Sequence, residues 1–242
     1  ATPEYTKDSY ALEVLTTYLS DGKKAPLNTV LIDELQLASN PRMYYSGSEL
    51  AGEISLSVRA NFGVDLDSVK VAIDQALALF ESNGMTAEDL ERIKAKQETR
   101  FYNGLSSVLG KGFQLAQYQI FAGSPGYINE DIKQIQKVSL EDVQRVYEAY
   151  IKNKNYVVTS FVPKGEATLA LADAQEAEVV EEKIVNGAEE TFDPSIAAEY
   201  ERTPSSFDRT VEPPYGESPQ LKVPEVWEKE LENGLKIYGI EN

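Results

Sequence analysis

Residues 53–82 read "EISLSVRANFGVDLDSVKVAIDQALALFES", and the pattern changes period part-way. Ile54, Leu56, Val58, Ala60 and Phe62 alternate with Ser55, Ser57, Arg59 and Asn61. Successive side chains of a strand point to opposite faces, so this spacing predicts a strand with one buried face. Beyond Gly63 the apolar residues Val69, Ala72, Ile73, Ala76, Leu77 and Phe80 recur three and four apart. That is the period of a helix over 66–82, and Asn83-Gly84 is a natural stop. A strand with one apolar face feeding an amphipathic helix implies a sheet covered by helices on that face.

The neighbouring sequence extends this reading. "PRMYYSG" (41–47) is placed as the antiparallel neighbour of the strand, with "SELAG" (48–52) as the connection. Ala11, Val14, Leu15, Tyr18 and Leu19 predict a helix over 8–20, ended by Asp21-Gly22. A second helix begins near Pro26, a residue tolerated in a first turn, with Leu27, Val30, Leu31 and Leu35 as its stripe. Thr86 caps a long helix carrying Leu90, Ile93, Gln97, Phe101 and Leu105, with Asp89 three residues after the cap. Gly110 and Gly112 suggest a break before "FQLAQYQIFAG" resumes the helical pattern. A short helix over 129–137 and one capped by Ser139 follow, and "NYVVTSFVPKG" (155–165) reads as a strand. The expected class is α+β: an antiparallel or mixed sheet with helices packed on one face.

The 242 residues carry 40 acids and 23 bases, a formal net charge of −17. Phosphates would be repelled, so nucleic acid is not an expected partner. Neither cysteine nor histidine occurs. Disulfides, thiolate nucleophiles and histidine-ligated zinc are therefore excluded within this sequence, as is serine–histidine hydrolysis. No run of apolar residues is long enough to span a membrane.

After Gly165 the character shifts. Residues 166–202 hold eleven acids against Lys183 and Arg202, and residues 203–224 are rich in proline, serine and glycine. Phe192, Tyr200, Phe207 and Tyr215 are scattered through this stretch, which reads as a linker lying on a surface. "VWEKELENGLKIYGIEN" (226–242) then starts a new apolar pattern, two short strands about Asn233-Gly234.

The order of pieces resembles the non-catalytic half of an insulinase/pitrilysin-type zinc peptidase. The resemblance is carried by "TKDSYALEVLTTYLSDGKKAPLNTVLIDEL" (6–35), "EISLSVRANFG" (53–63), "GMTAEDLERIKAKQETRFYNGL" (84–105) and "VSLEDVQRVYEAYIKNKNYVVTSFVPKG" (138–165). It implies a family domain over 1–165 lacking its first strands, an interdomain linker over 166–226, and the first hairpin of a following domain over 227–242. In such enzymes His-x-x-Glu-His holds zinc, and the glutamate activates water. The resemblance places that motif, and the zinc, in the preceding domain of the parent protein. Catalytic, cofactor-binding and metal-binding residues are expected to be none here. The family's arginine–tyrosine pair, seven apart, would fall on Leu31 and Ala38 of "NTVLIDELQLA", and neither side chain donates a hydrogen bond.

The resemblance implies one wall of a substrate-enclosing chamber for peptides, partnered by the catalytic and C-terminal domains of the same parent chain. An inactive member acting as a structural or processing scaffold is the alternative, and a stand-alone binding domain with an acidic tail is a third reading. The absence of cysteine leans toward the bacterial envelope or periplasm. Bare strand edges invite pairing with another copy. The chain is therefore expected to self-associate through residues 235–241 or an open sheet edge. Light scattering at high concentration checks this, and a monomer there contradicts it.

Overall fold

The computed structural model describes residues 1–176, 208, 210–212, 214, 216–217 and 225–241. The chain divides into two compact units, Ala1–Val179 and Val180–Asn242.

The first unit is organised around helix α1 (Lys7–Ser20). Thr6 caps it by accepting from the Ser9 amide. Ser9, Tyr10, Ala11, Leu12, Val14, Leu15, Thr16 and Leu19 are all buried. A helix covered on nearly every side must have neighbours all round it. Those neighbours are the short helix α2 (Pro26–Asn28), strand β1 (Arg42–Gly47), and helices α4 (Ala87–Gly104), α6 (Ile128–Lys137) and α7 (Leu140–Tyr150).

Strand β1 pairs antiparallel with β2 (Gly52–Ser57), in the register Met43 opposite Leu56 and Tyr45 opposite Ile54. Those four side chains pack toward the core, with Val58 and Ala60 continuing the same face. Helix α3 (Leu66–Asn83) buries Val69, Ala72, Ala76 and Phe80. The Phe80 ring meets Tyr147 edge-on, with centroids 4.9 Å apart. Gly84 ends α3 at φ 68°, a conformation costly for any side chain. Ser139 and Asp142 form a reciprocal capping box at the start of α7.

An ionic knot joins the start of α1 to α7. The Arg145 guanidinium lies 2.7 Å from Asp8, and the Lys7 ammonium 2.6 Å from Asp142. Burial pushes the Asp142 carboxyl up, but Lys7 and Ser139 outweigh it and hold it at about 2. The knot's contribution through Asp142 is therefore present above the unfolded value of 3.8 and is lost as pH falls toward 2.

Four expectations change. Residues after Asn28 do not continue as a regular α-helix; Thr29–Glu34 form a π-turn, and Leu35 is exposed. Phe62 points to solvent, because the chain leaves the sheet after an isolated bridge between Ala38 and Ala60 and turns at Gly63, at φ 78°. Val64 and Leu66 take the interior places beyond it. The segment from Tyr156 to Phe161 forms no strand and pairs with no neighbour, with Val157 and Phe161 almost fully exposed. Alternation sets the two faces of a strand; the strand itself needs a neighbour's amides and carbonyls, and none among the described residues runs beside it.

The helix break lies at Leu105–Ser107, not at the two glycines. Helix α5 (Val108–Phe121) contains both, and Ser107 caps it through the Gly110 amide. The glycines have different reasons to be there. A Cβ on Gly110 would stand 2.4 Å from the Gly104 carbonyl oxygen, whereas a Cβ on Gly112 would meet nothing within 4 Å.

In the second unit β3 (Val226–Glu230) and β4 (Lys236–Ile240) form an antiparallel hairpin, with Trp227 opposite Gly239. Gly234 turns it at φ 80°. This is the hairpin read from the sequence. Phe192, Tyr200, Phe207 and Tyr215, on which the packed-linker reading rests, lie outside the described residues.

The two α5 glycines separate by substitution. Gly110→Ala is expected to destabilise the fold by about 1–3 kcal/mol through overpacking. Gly112→Ala is expected to stabilise it by about 0.5–1 kcal/mol. Urea or thermal unfolding of both variants measures the contrast.

Candidate functional site

Leu31 and Ala38, where the family pair would place an arginine and a tyrosine, are both buried. The Leu31 carbonyl accepts from the amides of Leu37 and Ala38, so this corner is closed by its own backbone. It offers no side-chain donor to a substrate. Glu91 pairs with Lys94, and Asp89 with Thr86 and Arg92, as caps and solvated-face charges on α4. Lys23, Lys24 and Lys111 are exposed. Among the described residues no three carboxylates stand close enough to hold a metal ion. No described helix is long and apolar enough to cross a membrane.

The structure instead assembles a tyrosine–aspartate cluster from four separated parts of the sequence. Asp131 on α6 is buried. The Tyr10 hydroxyl on α1 donates to its Oδ1 at 2.6 Å, and the Tyr118 hydroxyl on α5 donates to its Oδ2 at 2.5 Å. Tyr127, from the single turn Pro125–Tyr127, brings its hydroxyl 3.2 Å from that of Tyr10. Tyr5 stacks obliquely on Tyr118 and Tyr127, each at 5.2 Å between centroids. It does so from a left-handed backbone conformation at φ 56°.

Burial, then the bond to Asp131, pushes the Tyr10 and Tyr118 hydroxyls far above the usual phenol range. They remain protonated donors, and both oxygens of Asp131 are occupied. The cluster clamps α1, α5 and α6 together; it does not present a nucleophile with a free base. Helical spacing suggests tyrosines with their hydroxyls turned outward. Tyr10 and Tyr118 turn theirs inward, because a buried carboxylate must find donors. In "INEDIKQI" Asp131 stands three residues after Ile128 and four before Ile135, on the same helical face, and that spacing was the available signal.

Beside the cluster Glu13 on α1 is half-buried. Burial, and then the charge of Glu4, raise its carboxyl to about 7, although Arg100 pulls it down. Glu4 is itself raised by burial and by Asp131.

Residues 1–97 match the family model described as the peptidase M16 inactive domain. The resemblance to insulinase/pitrilysin-type peptidases is borne out, and with it the non-catalytic character of the domain. The M16 inactive-domain fold recurs in solved structures. The inactive peptidase domain of a protein described as a zinc protease from Bordetella parapertussis is 22% identical, with a TM-score of 0.57 over 63% of this chain and 82% of that one. A protease from Helicobacter pylori is 22% identical, with a TM-score of 0.55 over 63% of this chain and 36% of its own. The chain thus spans about a third of that protease's length. The periplasmic protease PqqL from Escherichia coli is 13% identical, with a TM-score of 0.52 over 62% of this chain and 16% of that one. No curated protein matches the chain in sequence.

The raised Glu13 makes the stability of the first unit depend on pH. Folded Glu13 keeps its proton to about pH 7, while the unfolded residue releases it near 4.5. Between those values the folded state binds more protons, so stability falls as pH rises and levels off above 7. Glu13→Gln removes this slope. At pH 8 the variant is expected to be more stable by about 1–3 kcal/mol, with the gap closing below pH 4.5. Urea unfolding across pH 4–8 checks it.

Proposed function

We propose that this chain forms the non-catalytic wall of a peptide-enclosing chamber in a zinc-dependent peptidase. Residues 1–165 are the wall domain, 166–226 the linker, and 227–242 the opening of a further domain of the same kind. The observation that carries this is the buried Leu31 and Ala38 inside the segment that matches the M16 inactive domain. Side chains at those two places that cannot donate leave the domain to shape and enclose substrate, not to activate it.

Zinc and its ligands belong, in this reading, to the preceding domain of the parent, and peptides are the substrate. The likeness to PqqL, described as a periplasmic protease, supports a place in the bacterial periplasm. A net charge of −17 favours basic or extended peptides within the chamber.

Zinc content and peptide hydrolysis of the parent protein, with residues 1–165 present and then deleted, test the proposal. Zinc retained with cleavage lost on deletion is the expected result. Cleavage that survives deletion makes the domain dispensable, and an intact parent without zinc makes it a scaffold of an inactive member; either overturns the reading. Salt titration with peptides of different charge tests the preference. Cleavage of basic peptides should fall most steeply with ionic strength, and a flat response removes the electrostatic part.

A further inference from the structure

Between α1, α4, α5 and α6 lies a cavity of about 170 Å³, bordering the tyrosine–aspartate cluster. At roughly 30 Å³ per water it has room for about five waters, and a cavity of ~150 Å³ accommodates benzene. Its lining combines three carboxylates, Glu4, Glu13 and Asp131, with one cation, Arg100. Ring faces are present too: Tyr5, Tyr10 and Phe101.

One lining residue is anomalous. Gln97 is only 5% exposed, yet neither its amide nitrogen nor its amide oxygen has a hydrogen-bond partner. It stands near enough to Glu13 to draw that carboxyl down slightly, without reaching bonding geometry. Gln114 gives its Nε2 to the Tyr118 hydroxyl at 2.8 Å, and its Oε1 is likewise buried and unpartnered. A buried amide left without partners costs about 1–3 kcal/mol per group. Two such residues facing one cavity indicate that something polar belongs there.

The lining identifies its chemistry. The unpartnered buried atoms here are two acceptors, Oε1 of Gln97 and Oε1 of Gln114, and one donor, Nε2 of Gln97; the Glu13 carboxylate lines the same cavity as a third acceptor. Three acceptors in an excess of negative charge match a group with three donors and a positive charge. With no carboxylate triad to hold a metal among the described residues, that group is an organic cation. Tyr5, Tyr10 and Phe101 add ring faces that attract cations.

We propose that this cavity binds a primary alkylammonium group, carried by a small amine or by a lysine side chain of a peptide, with Gln97, Gln114 and Glu13 taking its three N–H donors. The site stands on the geometry of the first unit alone and does not require the peptidase reading. A peptide-borne lysine also brings a carbonyl that can accept from the Nε2 of Gln97, which a simple amine lacks. The charged groups facing Glu13 are Glu4 from the segment before α1, Arg100 from α4 and Asp131 from α6, and α5 contributes the neutral Gln114. Glu13 is the one brought to about 7, so the site gains its charge as pH rises through neutrality.

The test is calorimetric titration of the whole chain at pH 8 with n-butylamine, with butanol and butyrate as neutral and anionic controls. Saturable binding of butylamine alone is expected, weakened about tenfold or more by Glu13→Gln, and by a similar factor at pH 5.5. Gln97→Leu should weaken it several-fold. Unfolding curves establish that each variant is folded. An acetylated, amidated Gly-Lys-Gly peptide separates the sources: tighter binding than butylamine assigns the site to lysine, equal binding to small amines. No saturation by butylamine or the peptide leaves a water-filled cavity and overturns the proposal. So does saturation that both Glu13→Gln and Gln97→Leu leave unchanged.

Discussion

Burial of α1 on nearly all sides is the constraint on which the first unit depends. A helix with one apolar stripe can lie on a sheet and stop there. One that buries Leu12, Val14, Leu15 and Leu19 together with Ser9 and Thr16 demands partners around its circumference. The sheet supplies one side through β1, and α2, α4, α6 and α7 supply the others. The polar residues on α1 must also be satisfied inside. Tyr10 reaches Asp131, Ser9 donates to the Thr6 carbonyl at 2.8 Å, and Thr16 donates to the Glu13 carbonyl at 3.3 Å.

The polar chemistry of the unit follows from the same helix. Its N-terminal end is tied to α7 by Asp8, Lys7, Arg145 and Asp142, where opposite charges meet at a partly wet surface and hold the carboxyls down. One turn further on, the environment has the opposite sign. Glu13 faces Glu4 and Asp131 in a partly closed cavity, and its carboxyl rises. Two carboxylates five residues apart on one helix are thus driven in opposite directions by what surrounds them. The first serves attachment; the second keeps its proton to about neutral pH.

Composition excluded two kinds of chemistry outright. Without histidine or cysteine, the common zinc and nucleophile chemistries have no donors. Leu31 and Ala38 were equally readable as residues that cannot donate. Caps at Thr86 and Ser139 were legible because a hydroxyl with an aspartate three residues on satisfies amides within one turn. The cluster around Asp131 was not. Tyr10 and Asp131 are separated by 121 positions, and each alone fits an ordinary helix. Gln97 was correctly placed on the inward face of α4, but that its amide would find no partner there could not be read from spacing.

By itself the sequence determined the caps at Thr86 and Ser139, the apolar faces of α1 and α3, and which side-chain donors are missing. These are local matters, settled by caps, periodicity and the absence of residue types. Tertiary structure decided the rest. It left Tyr156–Phe161 without a ladder, because pairing belongs to two segments and not one. It moved the break before α5 to Ser107, since the close approach of Gly110 to the Gly104 carbonyl is set by packing and not by glycine's propensity. It turned the Tyr10 and Tyr118 hydroxyls inward and left Gln97 facing a cavity, because the partners of a buried polar group are chosen by the elements that close over it.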